Sequence, residues 1–164
     1  RRISGPALIA PNKNQIEAAI HSYTGYIAAS NLYNAAGVVR TKEEIYEDIL
    51  VIDASFKGEI GQIKTNLQKE IIKICPRLRM IGSNALQLAE TARGSYSSSI
   101  SDHIRTYDFA AGIVLVKESG GIVTDQFGNK PSVNSKVIVA SNNLGTHKKI
   151  IELTKNYYQE FKDY

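Results

Sequence analysis

The chain has 164 residues, 43% of them hydrophobic and 22% charged, which is enough for one globular core of ordinary size. Its formal charge of +4, from 20 basic and 16 acidic residues, is spread without the basic block of a nucleic-acid footprint, and the longest apolar runs, Ile49 to Ile52 and Gly112 to Val116, are far too short to cross a bilayer. A single cysteine, Cys75, excludes an internal disulfide, so the expectation is a cytoplasmic protein with no membrane contact, nucleic acid an unlikely partner, and a weak bias toward anionic small molecules.

The chain opens Arg1-Arg2-Ile3, and its only methionine is Met80, so it is expected to be a piece of something longer, with no charged-then-apolar leader at its start. From Ala7 to Ile20 two short strands should flank the Pro11-Asn12-Lys13-Asn14 turn. A loop with a short strand at Val38-Val39 follows, and Glu43-Glu44 reads as a solvated surface run. Asp48 to Phe56 is apolar and β-branched enough for a buried strand. Leu67, Ile71, Ile72 and Ile74 fall at helical spacing and predict a helix from Asn66 to Cys75, stopped by Pro76.

"LRMIG" reads as a short strand. Ser83 can cap a helix with Leu86, Ala89 and also Ala85 and Ala92 turned inward, ending at Gly94. "SYSSSIS" suggests a polar-faced strand. A helix from Tyr107 to Ser119 ends at Gly120-Gly121, after which "GIVTD" and "KVIVAS" give two strands around the "QFGNKPS" turn. A last helix begins near Thr146, with Ile150, Ile151, Leu153 and Tyr157 on one face and Tyr158 and Phe161 continuing it. Alternating strands and helices call for an α/β fold, a layered sheet flanked by helices.

The residue that stands out is Asp108, a carboxylate set directly before Phe109-Ala110-Ala111-Gly112. In the first turn of a helix it would face unpaired backbone N–H groups, and capping alone would account for it at about 1 kcal/mol. The small residues beside it also let another backbone come close, as a buried ion site requires. Spacing alone leaves both readings open.

Several signals stand in fixed order: Arg79, Gly82-Ser83, Gly94, Asp108 to Gly112, Glu118-Ser119-Gly120-Gly121, then Val123-Thr124-Asp125. Together they resemble the C-terminal half of the inositol monophosphatase family, in particular its archaeal inositol monophosphatase/fructose-1,6-bisphosphatase branch. The likeness is close over residues 77 to 143 and looser over the whole chain. It implies the C-terminal domain of the family's αβαβα sandwich over residues 41–164, with residues 1–40 as strands and a turn continuing a missing N-terminal domain.

By this resemblance Asp108 takes the place of an aspartate that binds the second magnesium of a two- or three-ion Mg2+ site. Magnesium demands hard oxygen ligands in octahedral geometry, and paired ions about 3.5–4 Å apart activate a water, orient the phosphate and stabilise the leaving alkoxide. The family's remaining ligands, a Glu-Glu pair and an Asp-Pro-x-Asp-Gly motif, belong to its N-terminal half. No Asp-x-x-Asp-Gly occurs here, and Glu43-Glu44 sits in the wrong order to replace the pair. No catalytic residue is therefore assigned within this chain.

The resemblance implies substrate contacts from Gly82, Ser83 and Asn84, whose backbone N–H groups at a helix start can meet a sugar hydroxyl or phosphate, although helix capping explains them equally. Arg77, Arg79, Arg105 and Lys57 are candidates for a second phosphate. A glutamate that binds a sugar hydroxyl in some members is replaced by Ser101, and Asp125 reads as a turn former. His103 lies near Asp108, but no nucleophile triad can be assembled with it, with His21 or with His147, and "GGIV" lacks a dinucleotide fingerprint.

The implied activity is that of a magnesium-dependent phosphomonoesterase acting on inositol monophosphate or fructose 1,6-bisphosphate in the intact protein, this chain alone being inactive. The implied partners are the sugar or inositol phosphate substrate, the missing N-terminal half and a second copy in a homo-oligomer such as a dimer. The alternative is a non-catalytic binding or regulatory module of the same fold that engages protein or RNA.

Overall fold

A computed structural model describes residues 47–53 and 58–158. The expected hairpin of Ala7 to Ile20, the strand at Val38-Val39, the Glu43-Glu44 run, Lys57 and Phe161 lie outside the described residues.

Leu50–Ile52 (β1) is a three-residue strand buried throughout, as a purely apolar run between two helical layers should be. The helix that follows, Gly58–Ile74 (α1), starts eight residues before the expected Asn66. The cause is Lys64. It occupies the stripe that Leu67, Ile71 and Cys75 continue, and all four side chains are buried. A lysine at an apolar position of the 3.6-residue period conceals the first two turns from a reading by hydrophobic spacing.

Pro76 ends α1, and Leu78–Arg79 (β2) pairs with β1 as a parallel edge strand. Asn84–Arg93 (α2) runs from Ser83 to Gly94, whose φ of 86° is the left-handed value that closes a helix most readily in glycine. Its inward face is Gln87, Leu88, Thr91 and Ala92; of the expected set Ala92 is turned inward, whereas Ala85 and Leu86, the latter 46% exposed, are turned outward. A polar side of α2 meets polar strand residues instead: Thr91 Oγ1 donates to Ser99 Oγ over 3.1 Å, and Ser101 Oγ donates to Gln87 Oε1 over 3.3 Å.

Those serines belong to Ser98–Asp102 (β3), the expected polar-faced strand, which is buried on both faces. Alternation sends Ser99 and Ser101 toward α2. Ile100 joins the apolar cluster of the other face, where Ser98 donates to the Ala140 carbonyl over 2.7 Å. Each buried hydroxyl has a partner, which removes the cost of desolvating it.

Thr106–Glu118 (α3) follows after three connecting residues, then Ile122–Thr124 (β4), Val137–Ser141 (β5) and Leu144–Tyr157 (α4). Asn143 caps α4 by accepting the Thr146 N–H at 2.8 Å, so this helix begins two residues before Thr146. The five strands form one mixed sheet in the order β2-β1-β3-β5-β4, with β1 parallel to β2 and β3, and β5 antiparallel to β3 and β4. Each face carries its own apolar cluster. Leu50, Ile52, Leu67, Ile71, Ile100, Val139, Ile150 and Tyr158 gather under α1 and α4. Leu88, Ile104, Phe109, Val116, Val123 and Ile138 gather under α2 and α3.

The result is the expected sheet between two helical layers. Among the described residues no helix is long and apolar enough to cross a membrane. Helix α3 differs from the others in lacking a polar side, and Tyr107 and Val114 stand on its exposed face.

Candidate functional site

The parallel strands β1, β2 and β3 end at one edge of the sheet, and α2 and α3 begin there. In open α/β sheets this carboxyl edge is where ligands bind. Asp108 is the third residue of α3. Its Oδ2 accepts the backbone N–H of Arg105 at 2.8 Å, and the Asp108 N–H returns to the Arg105 carbonyl at 2.8 Å. The capping expected of this carboxylate is present. It occupies one oxygen only, and Oδ1 takes no hydrogen bond among the described residues while the side chain is partly exposed.

That leaves one hard anionic oxygen not used by the cap beside a helix N-terminus, which fits a single ligand of a divalent cation such as Mg2+. Among the described residues no group of three or more His, Cys, Asp or Glu could hold a metal. Asp108 fits the ion and this part of the chain does not complete its shell.

The structure brings Gly82, Ser83 and Asn84 to the same edge. Gly82 adopts a φ of 75°, Ser83 precedes α2 without a side-chain cap, and the first turn of α2 is tied to the end of β3 through Gln87 and Ser101. Two buried polar atoms there, Asn84 Oδ1 and Gln87 Nε2, have no hydrogen-bond partner among the described residues. Gln87 is a residue that sequence reasoning passed over, and the pairing of the glutamine with Ser101 has no signature in spacing.

The candidate cations behave differently from one another. Arg79, at the end of β2, is exposed and donates to its neighbour's carbonyl, Leu78 O, at 2.9 Å. Arg105, exposed at the start of α3, reaches the Tyr107 hydroxyl at 3.2 Å. Arg77 is held away at the opposite end of the strands by Glu47, at 2.7 Å. Asp125 is the turn former it was expected to be, accepting the N–H groups of Phe127 and Asn129, each at 2.8 Å.

Sequence reading also missed a buried charge cluster on the other face of the same edge. Lys64 Nζ lies 2.7 Å from Asp102 Oδ1 and 3.5 Å from Asp53 Oδ2, and the Lys64 and Asp102 side chains are both fully buried. Tyr158 donates its hydroxyl to Asp102 Oδ2 at 2.8 Å. Burial, and then the Asp102 charge, push the Tyr158 hydroxyl pKa well above its usual value, which keeps it a donor. A groove of about 410 Å3 between α4 and β4, lined by Thr124, Leu144, His147, Ile151 and Lys155 among others, holds none of the predicted site residues.

Residues 21–159 match the model of the inositol monophosphatase family. The chain belongs to that family. It is 37% identical over 89 residues to the fructose-1,6-bisphosphatase/inositol-1-monophosphatase of Methanothermobacter thermautotrophicus, covering 50% of this chain and 32% of that protein. It is 32% identical over 146 residues to the Nus factor SuhB of Escherichia coli, covering 86% of this chain and 53% of that one. Among solved structures, a Thermotoga maritima IMPase superposes with a TM-score of 0.63 at 27% identity, over 71% of this chain and 43% of that chain. The chain thus spans about a third to a half of the length of these relatives. The family assignment and the layered α/β fold expected from the order of motifs are both met.

Proposed function

We propose that this chain is the C-terminal half of a magnesium-dependent phosphomonoesterase that hydrolyses inositol monophosphate or fructose 1,6-bisphosphate. The observation that carries this reading is the Asp108 carboxylate, held by its Arg105 cap at the carboxyl edge of the sheet with one oxygen not used by the cap, in a chain of the inositol monophosphatase family. Residues 41–164 form the C-terminal α/β domain, and residues 1–40 belong with the part of the relatives that this chain does not span. Magnesium, when bound, supplies charge stabilisation and a nucleophilic water.

This chain's contribution is positional. Asp108 offers one ligand oxygen. Gly82, Ser83 and Asn84 bring backbone N–H groups and an amide to the sugar side, while Arg79, Arg105 and Lys57 supply positive charge for a second phosphate. The active form is a cytoplasmic homo-oligomer. In the whole protein, phosphate release from both substrates should require Mg2+ and should be lost in Asp108→Asn; metal-independent release, or full activity in that variant, rejects the reading.

A second reading, a regulatory module that engages protein or RNA, is favoured by the length of the match to the Nus factor, which is the longer of the two relatives' alignments. Retention of a protein or RNA partner by a whole protein that releases no phosphate would support it.

A further inference from the structure

The connection from β3 to α3 is three residues long, and its middle is anchored on both faces of the sheet. Asp102, the last residue of β3, points into the α1/α4 face, where Lys64 and Tyr158 hold its two oxygens at 2.7 and 2.8 Å. Ile104 is buried in the apolar cluster of the α2/α3 face. Between them His103 has a φ of 52°, the one positive φ outside glycine among the described residues, with its Nδ1 3.5 Å from Asp102 Oδ1. A left-handed backbone at a non-glycine residue costs about 1–2 kcal/mol and persists only where the surroundings dictate it. Arg105 comes next, and its N–H is the group that fixes Asp108 Oδ2.

A buried ion pair is a poor device for stability, because desolvation consumes most of the attraction, but it fixes geometry. Lys64 comes from the second turn of α1 and Tyr158 from the C-cap of α4, so two helices converge on one carboxylate at the root of the loop. We propose that Asp102, clamped by Lys64 and Tyr158, is a positioning residue: it imposes the left-handed turn at His103 and thereby sets where the Asp108 carboxylate stands. This rests on Asp108 being a metal ligand for its functional consequence, and on the loop geometry alone for its structural one.

The Arg105 amide reports the place of the carboxylate directly, so the first measurement is hydrogen exchange in this chain without metal. Tyr158→Phe removes one clamp and is nearly isosteric; His103→Gly supplies a residue that takes the left-handed φ without being forced into it. In Tyr158→Phe exchange at Arg105 should rise by about fivefold or more, the equivalent of one lost hydrogen bond, while Val139 in the centre of the sheet stays unchanged, and adding His103→Gly should return part of the protection. In the whole protein, the Mg2+ concentration for half-maximal activity should rise by about tenfold in Tyr158→Phe, as for other groups that orient a ligand. Unchanged exchange at Arg105 in Tyr158→Phe overturns the proposal. So does acceleration at Arg105 that merely keeps step with Val139, since that is global loosening. If Asp108→Asn leaves the Mg2+ requirement unaltered, the ligand reading falls, and the Arg105 exchange still decides whether the clamp exists.

Discussion

Gly112 of α3 sits against Leu88 of α2 so closely that a Cβ at position 112 would lie 2.5 Å from Leu88 Cδ1 and 2.6 Å from its Cβ. The two helices approach to a separation that only glycine permits, and this sets how α3, and Asp108 with it, lies across the sheet. Gly112→Ala forces Leu88, which is fully buried, to shift or the helices to part. We expect a loss of about 1–3 kcal/mol in denaturant unfolding, and Leu88→Ala in the same chain should be non-additive with it, because it removes the Cδ1 contact while the Cβ contact at 2.6 Å remains. Simple additivity of the two changes would show that the contact does not limit the packing.

Asp108→Asn should separate stability from activity. The amide oxygen can still accept the Arg105 N–H, so unfolding should change by no more than about 1 kcal/mol. Turnover in the whole protein should nevertheless fall by orders of magnitude, through loss of a metal ligand oxygen. A stability collapse with wild-type turnover per folded molecule would identify the residue as a cap only.

His147 gives a pH dependence whose sign is fixed. Its ring is buried between Thr124 Oγ1 and Ser141 Oγ, each at 3.0 Å, and burial lowers its pKa from 6.5 to about 4. The folded state therefore holds the neutral ring while the unfolded chain takes up a proton. The stabilisation is complete above pH 6.5 and is lost as pH falls toward 4, by an amount on the order of 3 kcal/mol. Urea unfolding followed from pH 7.5 to 4 should show this decline, and His147→Gln should flatten it. An equal slope in that variant would place the effect elsewhere.

The order of the elements was legible because β1, β5, α3 and α4 have apolar patterns that only one kind of structure can bury. Asp108 and Gly94 likewise stand where helix-end chemistry puts them. What escaped was polar and internal. Lys64 sits where an apolar side chain belongs and hid half of α1, and Gln87 and Thr91 displaced Leu86 from the inward face of α2 because β3 offers them hydroxyls. Matched polar pairs across two elements leave no period in either sequence. For the candidate site, the residues at the carboxyl edge could be named from motif order. The Asp102 clamp could not, since its members are separated by 38 to 94 positions in the chain and meet only after folding.

The isolated chain should show no magnesium-stimulated phosphate release, because one carboxylate cannot enforce octahedral coordination. Assay with inositol monophosphate over a range of Mg2+ is sufficient. Robust metal-dependent release abolished by Asp108→Asn would mean that the remaining ligands are within this chain.

Strand β3 has four serines and an aspartate around a single isoleucine in its neighbourhood, Ser97 to Asp102, a composition with little intrinsic claim to a central position in a sheet. Its alternation supplies what propensity does not. A slide of one residue against β1 and β5 would carry Ile100 to the hydroxyls of α2, place a serine in the apolar cluster, and turn Asp102 away from Lys64 and Tyr158 into the opposite layer. Every neighbour would be mismatched at once. The strand is thus a key cut for one alignment, and errors of strand pairing during folding are penalised most heavily at the residue from which the Asp108 loop departs.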